Sequence, residues 1–213
     1  MTQSPTNGPV AVLFDIGNVL IDWNPQILFE ELIPDDAERK HFHDVVCPRE
    51  WWIQHDAGAS FEEIAAPVCE CFPDKHDLIW AWHKRYAELI PEAIDGSVRL
   101  LQELKDRKVQ IHALTNYPAD KFRIARALYP FLDLFDDIVV SGEVRMIKPD
   151  PAIFALALDR MQTNADGVLF IDDQGRNIDA AKALGFVTHH FANPAALRED
   201  LMQHGLLPSG DQR

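Results

Sequence analysis

A chain of 213 residues, 47% of them hydrophobic and 25% charged, can bury one sizeable core or a core with a smaller companion, since domains usually run to about 100–200 residues. Its formal charge of −14 opposes nucleic acid and anionic membrane as partners, because both are held by clustered Lys and Arg; any phosphorylated ligand is expected to be small and locally bound. No apolar stretch reaches the ~20 residues of a membrane span, and residues 1–9 have neither the basic nor the apolar region of a signal peptide, so the expectation is a cytoplasmic protein, monomeric or homodimeric, with a frayed N-terminus.

The first strand expected along the chain is residues 10–14, an apolar run that ends at Asp15. About ninety residues then pass before the next strand, far more than the dozen or so that a parallel crossover needs. Helical patterns at 25–33, 35–46 and 74–89, and a helix to about residue 71 opened by the capping box Ser60-Phe61-Glu62-Glu63, fill that interval. They are expected to form a small helical unit, residues 23–90, inserted into a core made of residues 1–22 and 91–213. Further strands are expected at 109–114, 138–140, 168–171 and 187–191, separated by helices at 119–128, 151–160 and 177–184, with a last helix after Asn193-Pro194. Alternating strands and helices imply right-handed crossovers and a parallel sheet. Cys47, Cys69 and Cys71 have no C-x-x-C spacing and are expected as buried reduced thiols.

Polar residues follow the expected strands in a regular way: Asp15 after the first, Thr115-Asn116 after the second, Lys148 in the loop beyond the third, Asp172-Asp173 after the fourth. In a parallel sheet all carboxyl ends face one way, toward the crevice where open α/β sheets bind ligands. Asp15, Asp172 and Asp173 would supply oxygen ligands for a hard cation such as Mg²⁺. A carboxylate can also attack phosphorus when charge on the phosphoryl oxygens is neutralised, as Lys148, the Thr115 hydroxyl and the backbone near Asn116 would do. Taken singly, each has a plainer reading: Thr115-Asn116 as a turn, Lys148-Pro149-Asp150-Pro151 as a helix entry. Adjacent carboxylates after a buried strand are harder to explain without a cation, because they repel.

These ordered segments, Asp15-Ile16-Gly17-Asn18-Val19, Leu114-Thr115-Asn116, Lys148-Pro149 and Ile171-Asp172-Asp173 with Asn177 and Asp179 downstream, resemble the four motifs of the haloacid dehalogenase-like hydrolase superfamily. Within it, Ser141-Gly142-Glu143 and Ile147-Lys148-Pro149-Asp150 are similar to a branch of small phosphatases that includes bacterial glucose-1-phosphate phosphatase and the phosphatase domain of some epoxide hydrolases. The resemblance implies an α/β fold, a Rossmann-like parallel sheet of order 3-2-1-4-5, and a helical cap inserted after the first strand. It implies Asp15 as nucleophile, Thr115 and Asn116 as phosphate holders, Lys148 as a brace, and Mg²⁺ held by Asp15, Asp173 and the Gly17 carbonyl, with Asp172 nearby. The expected substrate is a small phosphate ester, a sugar phosphate or similar.

Gly17 departs from the pattern. Most phosphatases of the superfamily carry an aspartate there as general acid and base, help worth about 10²- to 10⁴-fold. Asp22, His55 and Asp56 are candidate substitutes, and Asn18, Trp23, Asn24, Trp51 and Trp52 are candidates to face the substrate. Two other functions compete. A 2-haloacid dehalogenase would use Asp15 on carbon without metal, and a catalytically weak phosphate-binding protein would keep only the pocket. The paired Asp172-Asp173 favours the phosphatase, because displacement at carbon needs no divalent cation.

Overall fold

The computed structural model describes residues 8–208; the expected frayed start falls almost wholly outside them. Strand β1 (Ala11–Phe14) lies at the centre. All four of its residues are fully buried, as a parallel strand covered on both faces must be. Val12 and Phe14 belong to one hydrophobic core and Ala11 and Leu13 to a second on the opposite face, following the two-residue alternation of a strand. With β2 (Gln110–Thr115), β3 (Asp137–Val140), β4 (Val168–Asp172) and β5 (Val187–His190), β1 forms a parallel sheet in the order β3-β2-β1-β4-β5, the order expected.

The long β1–β2 interval is helical. It contains α1 (Pro25–Leu32), α2 (Asp36–His41), α3 (Arg49–Asp56), α4 (Phe61–Cys71), α5 (His76–Lys84) and α6 (Asp95–Asp106). Helix α4 begins where the capping box put it, with Ser60 and Glu63 bonded in both directions. Residues 35–46 do not form one regular helix: α2 runs into a π-turn, Phe42–Val46, which brings both Phe42 and Val46 inward to 1% and 2% exposure. The pattern at 74–89 is also broken. Arg85 leaves the helical region at the end of α5, and a 3₁₀ turn, Tyr86–Leu89, then buries Tyr86 and Leu89. Helices α3 and α6 lie outside the expected elements, although Leu100, Leu101 and Leu104 of α6 carry the helical period. The cysteines are unpaired, but only Cys47 is buried; Cys71 is exposed at the end of α4.

After β2 come α7 (Ala119–Leu128), α8 (Ser141–Val144), α9 (Pro151–Met161), α10 (Gly175–Ala183) and α11 (Pro194–Gln203). Asp150 and Asn193 cap α9 and α11 with Pro at the first position of each, where a missing N–H costs nothing. The register pairs Phe14 with Ala113 on one side and with Ile171 on the other. Asp15 therefore leaves the sheet level with Leu114 and Asp172.

Ser141, fully buried at the start of α8, ties this edge to the inserted helices. Its Oγ donates to the Asp56 carbonyl at 2.6 Å and accepts from Tyr117 N at 2.8 Å. Beside it, a Cβ on Gly142 would come within 2.6 Å of Ala119 N, closer than real packing allows. Ser141→Ala leaves a buried amide and a buried carbonyl without this partner and is expected to lower stability by about 1–3 kcal/mol. Urea denaturation checks this; a change within error would mean that water replaces the hydroxyl.

Candidate active site

Lys148, 1% exposed, is the hub of the sheet edge. Its Nζ donates to Leu114 O at 2.7 Å and to Asp172 Oδ2 at 2.7 Å, and lies 2.9 Å from Asp15 Oδ1. An ammonium has three donors, and in this site each has an acceptor from a different strand end. Burial alone would lower its pKa, but the Asp15 and Asp172 carboxylates outweigh burial and raise it. The loop that carries Lys148 is clamped to the β2 end: Asn116 Nδ2 donates to Lys148 O at 3.0 Å, and Lys148 N donates to Asn116 Oδ1 at 2.8 Å. The peptide between Lys148 and Pro149 is cis.

The three carboxylates are not equivalent. Asp172 is fully buried, and both its oxygens are taken, by Lys148, Gln174 N and Asn177 Nδ2. Asp15 Oδ1 accepts from Ile16 N at 2.7 Å as well as facing Lys148, while its Oδ2 has no partner among the described residues. Asp173 Oδ2 accepts from Gln174 Nε2 at 2.7 Å and Asn18 Nδ2 at 3.3 Å; its Oδ1 is likewise free. Asn18, at φ 56°, occupies the left-handed region that Asn tolerates better than most residues. There its Oδ1 also accepts from Trp23 N at 3.1 Å, joining the first loop to β4 and to the start of the inserted helices. Burial pushes the Asp15 carboxyl up against the opposing pull of Lys148, and Asp172 and Asp173 push it further.

One ligand atom from each of Asp15, Asp172 and Asp173 lies within 4.8 Å of the others. Three carboxylates facing one ammonium leave two negative charges, and the Gly17 carbonyl at the same place accepts no hydrogen bond among the described residues. The free oxygens of Asp15, Asp173 and Gly17 suit a small hard dication. Asp172 braces Lys148 instead of offering a vacant oxygen.

A cavity of about 140 Å³ opens above this edge, lined from below by Asp15, Gly17, Asn18, Thr115, Asn116 and Asp173. Of the cap candidates, Trp23, Trp51, Trp52, His55 and Asp56 line it. Asp22 and Asn24 do not: the Asp22 amide donates to Glu92 O and the Asn24 amide to Leu89 O, so that of this linker only Trp23 reaches the cavity. Asp179 is exposed on α10. Cavity residues with no motif to announce them include Arg49, Arg176, Trp82 and Tyr86; only the fold brings them together.

The two remaining candidates for the proton-transfer role differ. His55 is engaged, its Nε2 lying 3.0 Å from Asp120 Oδ1. Burial lowers its pKa, against the pull of Asp120. The Asp56 side chain, 6% exposed, has no hydrogen-bond partner among the described residues, and burial pushes its carboxyl up to about 8, with Arg49 opposing and Asp15 adding to the rise. An uncharged carboxyl at neutral pH thus faces the same cavity as Asp15. At Gly17 itself, a Cβ would meet no atom within 4 Å.

This edge, under its helical cover, places the chain among capped Rossmann-like hydrolases. A family model described as haloacid dehalogenase-like hydrolase matches residues 10–185, and the chain belongs to that family. It is 29% identical to a sesquiterpene phosphatase of Aspergillus oryzae, over 91% of this chain and 95% of that one. To a phosphorylated carbohydrates phosphatase of Thermotoga maritima it is 27% identical, over 89% of this chain and 90% of that one. The fold matches a HAD-family enzyme of Bacteroides thetaiotaomicron solved with magnesium and inorganic phosphate, with TM-score 0.67, 22% identity and coverage of 87% and 96% of the two chains.

Asp56 makes stability depend on pH. In the fold it keeps its proton up to about pH 8, whereas its ordinary value is 3.8, so folding takes up a proton between those limits. The stability it contributes is therefore lost as pH rises from about 4 to about 8 and levels off above. Asp56→Asn is expected to stabilise the metal-free protein by about 1–3 kcal/mol at pH 8, and by less at pH 5. Urea midpoints in EDTA check this; a larger gain at pH 5 than at pH 8 contradicts it.

Proposed function

We propose that the chain is a Mg²⁺-dependent phosphatase that cleaves a small phosphate ester through an aspartyl phosphate on Asp15, with residues 23–90 acting as its cap. One observation carries this reading: Asp172 and Asp173 are kept beside Asp15 and Lys148, leaving two negative charges that displacement at carbon would not need. The phosphatase relatives in bacteria and fungi support it.

In this reading one carboxylate oxygen of Asp15 attacks phosphorus while the other would hold the metal, the bond from phosphorus to the ester oxygen breaks, and that oxygen takes the proton of the Asp56 carboxyl as the alcohol leaves. The Asp56 carboxylate then accepts a proton from water. That water attacks phosphorus, the acyl phosphate bond breaks, and inorganic phosphate and the Asp15 carboxylate are restored. Lys148 holds Asp15 in line and offsets phosphoryl charge, and the Thr115 hydroxyl, at the end of β2, meets a phosphoryl oxygen. Mg²⁺, held by Asp15, Asp173 and the Gly17 carbonyl, would neutralise charge on the transferring group. Asp56 thus replaces the aspartate that Gly17 lacks, from the cap side of the cavity.

The competing dehalogenase reading predicts chloride release from 2-chloropropionate that EDTA does not inhibit. The expected result is phosphate release from phosphate esters, abolished by EDTA and restored by Mg²⁺, with no chloride released. Asp15→Asn is expected to remove turnover entirely. Asp56→Asn should lower kcat by about 10²- to 10⁴-fold, and because position 17 has open space, Gly17→Asp added to Asp56→Asn should recover about tenfold or more. Full activity in Asp56→Asn would remove Asp56 from the mechanism.

A further inference from the structure

Away from the carboxylates the cavity changes character. Besides Arg49, His55 and Asp56 of α3, its cap-side walls include Trp23, Trp52, Phe61, Ile64, Trp82 and Tyr86. Around Trp23 the rings of Tyr86, Trp52 and Trp82 stand at 5.6, 6.1 and 6.3 Å. The lining cations Arg49 and Arg176 are exposed, and His55 is committed to Asp120. Among the buried polar atoms of these walls, Trp82 Nε1 and the Tyr117 hydroxyl lack a hydrogen bond, and each sits beside another side chain, Cys47 and Tyr86 respectively.

A small helical insert needs large side chains to close its own core, and Trp51 and Trp82 serve that purpose: both pack in the core, and Trp51 Nε1 donates to Ile64 O at 2.7 Å. Core-building does not explain why Trp23, Trp52 and Tyr86 also border the cavity, whose roughly 140 Å³ includes the space over Asp15 and Lys148. A wholly apolar cavity of about 150 Å³ admits a benzene-sized molecule, so the part of this cavity left beside a bound phosphate holds no more than a compact hydrocarbon. A sugar fits the walls poorly. Its polar partners, Asp56, Arg49, Arg176 and Asn177, stand at the floor and rim of the cavity, so hydroxyls set against the aromatic walls would be buried unpaired, each weakening binding by about five- to a hundredfold.

We propose that the substrate is a phosphate monoester of a compact apolar alcohol, arylmethyl or short isoprenyl in size, whose hydrocarbon fills the aromatic cavity while its phosphate meets Asp15 and Lys148. This rests on the phosphatase reading and replaces the sugar phosphate expected from the sequence.

The test is phosphate release by the full chain with Mg²⁺ from methyl, propyl, isopentenyl and benzyl phosphates, from glucose 1- and 6-phosphates, and from acetyl phosphate as a small activated reference. The proposal expects kcat/KM to rise about fourfold per added carbon along the alkyl series, and benzyl phosphate to exceed both sugar phosphates by about tenfold or more. Trp52→Ala should shrink the benzyl-to-acetyl phosphate ratio of kcat/KM about tenfold. If that variant does not fold, the wild-type series decides alone. Sugar phosphates cleaved as fast as benzyl phosphate, with acetyl phosphate also cleaved, would overturn the apolar assignment and leave the phosphatase standing. No phosphate from any compound, acetyl phosphate included, would sink both.

Discussion

The Lys148 ammonium is bonded to the ends of three neighbouring strands, through Asp15 after β1, Leu114 O on β2 and Asp172 on β4. Taking such a charge out of water costs several kcal/mol, and the cost is recovered only when geometry is good and every donor is met. All three donors of Lys148 are met, so removing the lysine would strand two buried carboxylates, a change that typically costs about 3–5 kcal/mol. The same contacts fix the direction of Asp15 and commit Asp172 to structure, leaving free oxygens on Asp15 and Asp173 beside a cavity that Gly17 also lines. The charge left over by one ammonium among three carboxylates is the physical reason to expect a divalent cation.

On the proposed reading, a glycine at position 17 moves the proton-transfer group off the nucleophile's loop and onto Asp56. An aspartate there would sit on the same rigid loop as the nucleophile. Asp56 instead closes α3, and its place depends on Ser141 holding the Asp56 carbonyl and on His55 meeting Asp120 across the cap–core boundary. On the same reading, chemistry depends on how the inserted helices sit, since Asp56 is carried by α3. Keeping an unpaired carboxyl buried opposes folding at neutral pH, a cost commonly found where a group is tuned for catalysis.

The sheet was legible because its strands are short and rich in apolar side chains, with β1 and β4 buried throughout, and because the polar residues after them repeat in order. Helix α4 was legible from its capping box, and α9 and α11 from a cap followed by proline. Helix α3 was not: Pro48 precedes it without a capping side chain, and Arg49-Glu50-Trp51-Trp52 does not separate an apolar face cleanly. That helix carries Asp56, so sequence could name Asp56 only alongside Asp22 and His55. What separated them is tertiary: Asp22 runs along the linker, His55 is held by Asp120 from α7, and Asp56 alone is buried without a partner. The arginines at the cavity, Arg49 of α3 and Arg176 of α10, lie far apart in sequence and line one cavity only in the folded chain.

Trapping the covalent species tests most directly whether Asp15 is the nucleophile. With Mg²⁺ and a cleaved ester, acid quenching during turnover followed by peptide mass spectrometry should find one phosphoryl group, labile to hydroxylamine, on the peptide carrying Asp15. Phosphate release with no phosphorylated protein, or with the phosphoryl group on another residue, would contradict both Asp15 as the attacking group and Lys148 as the side chain that holds it in line.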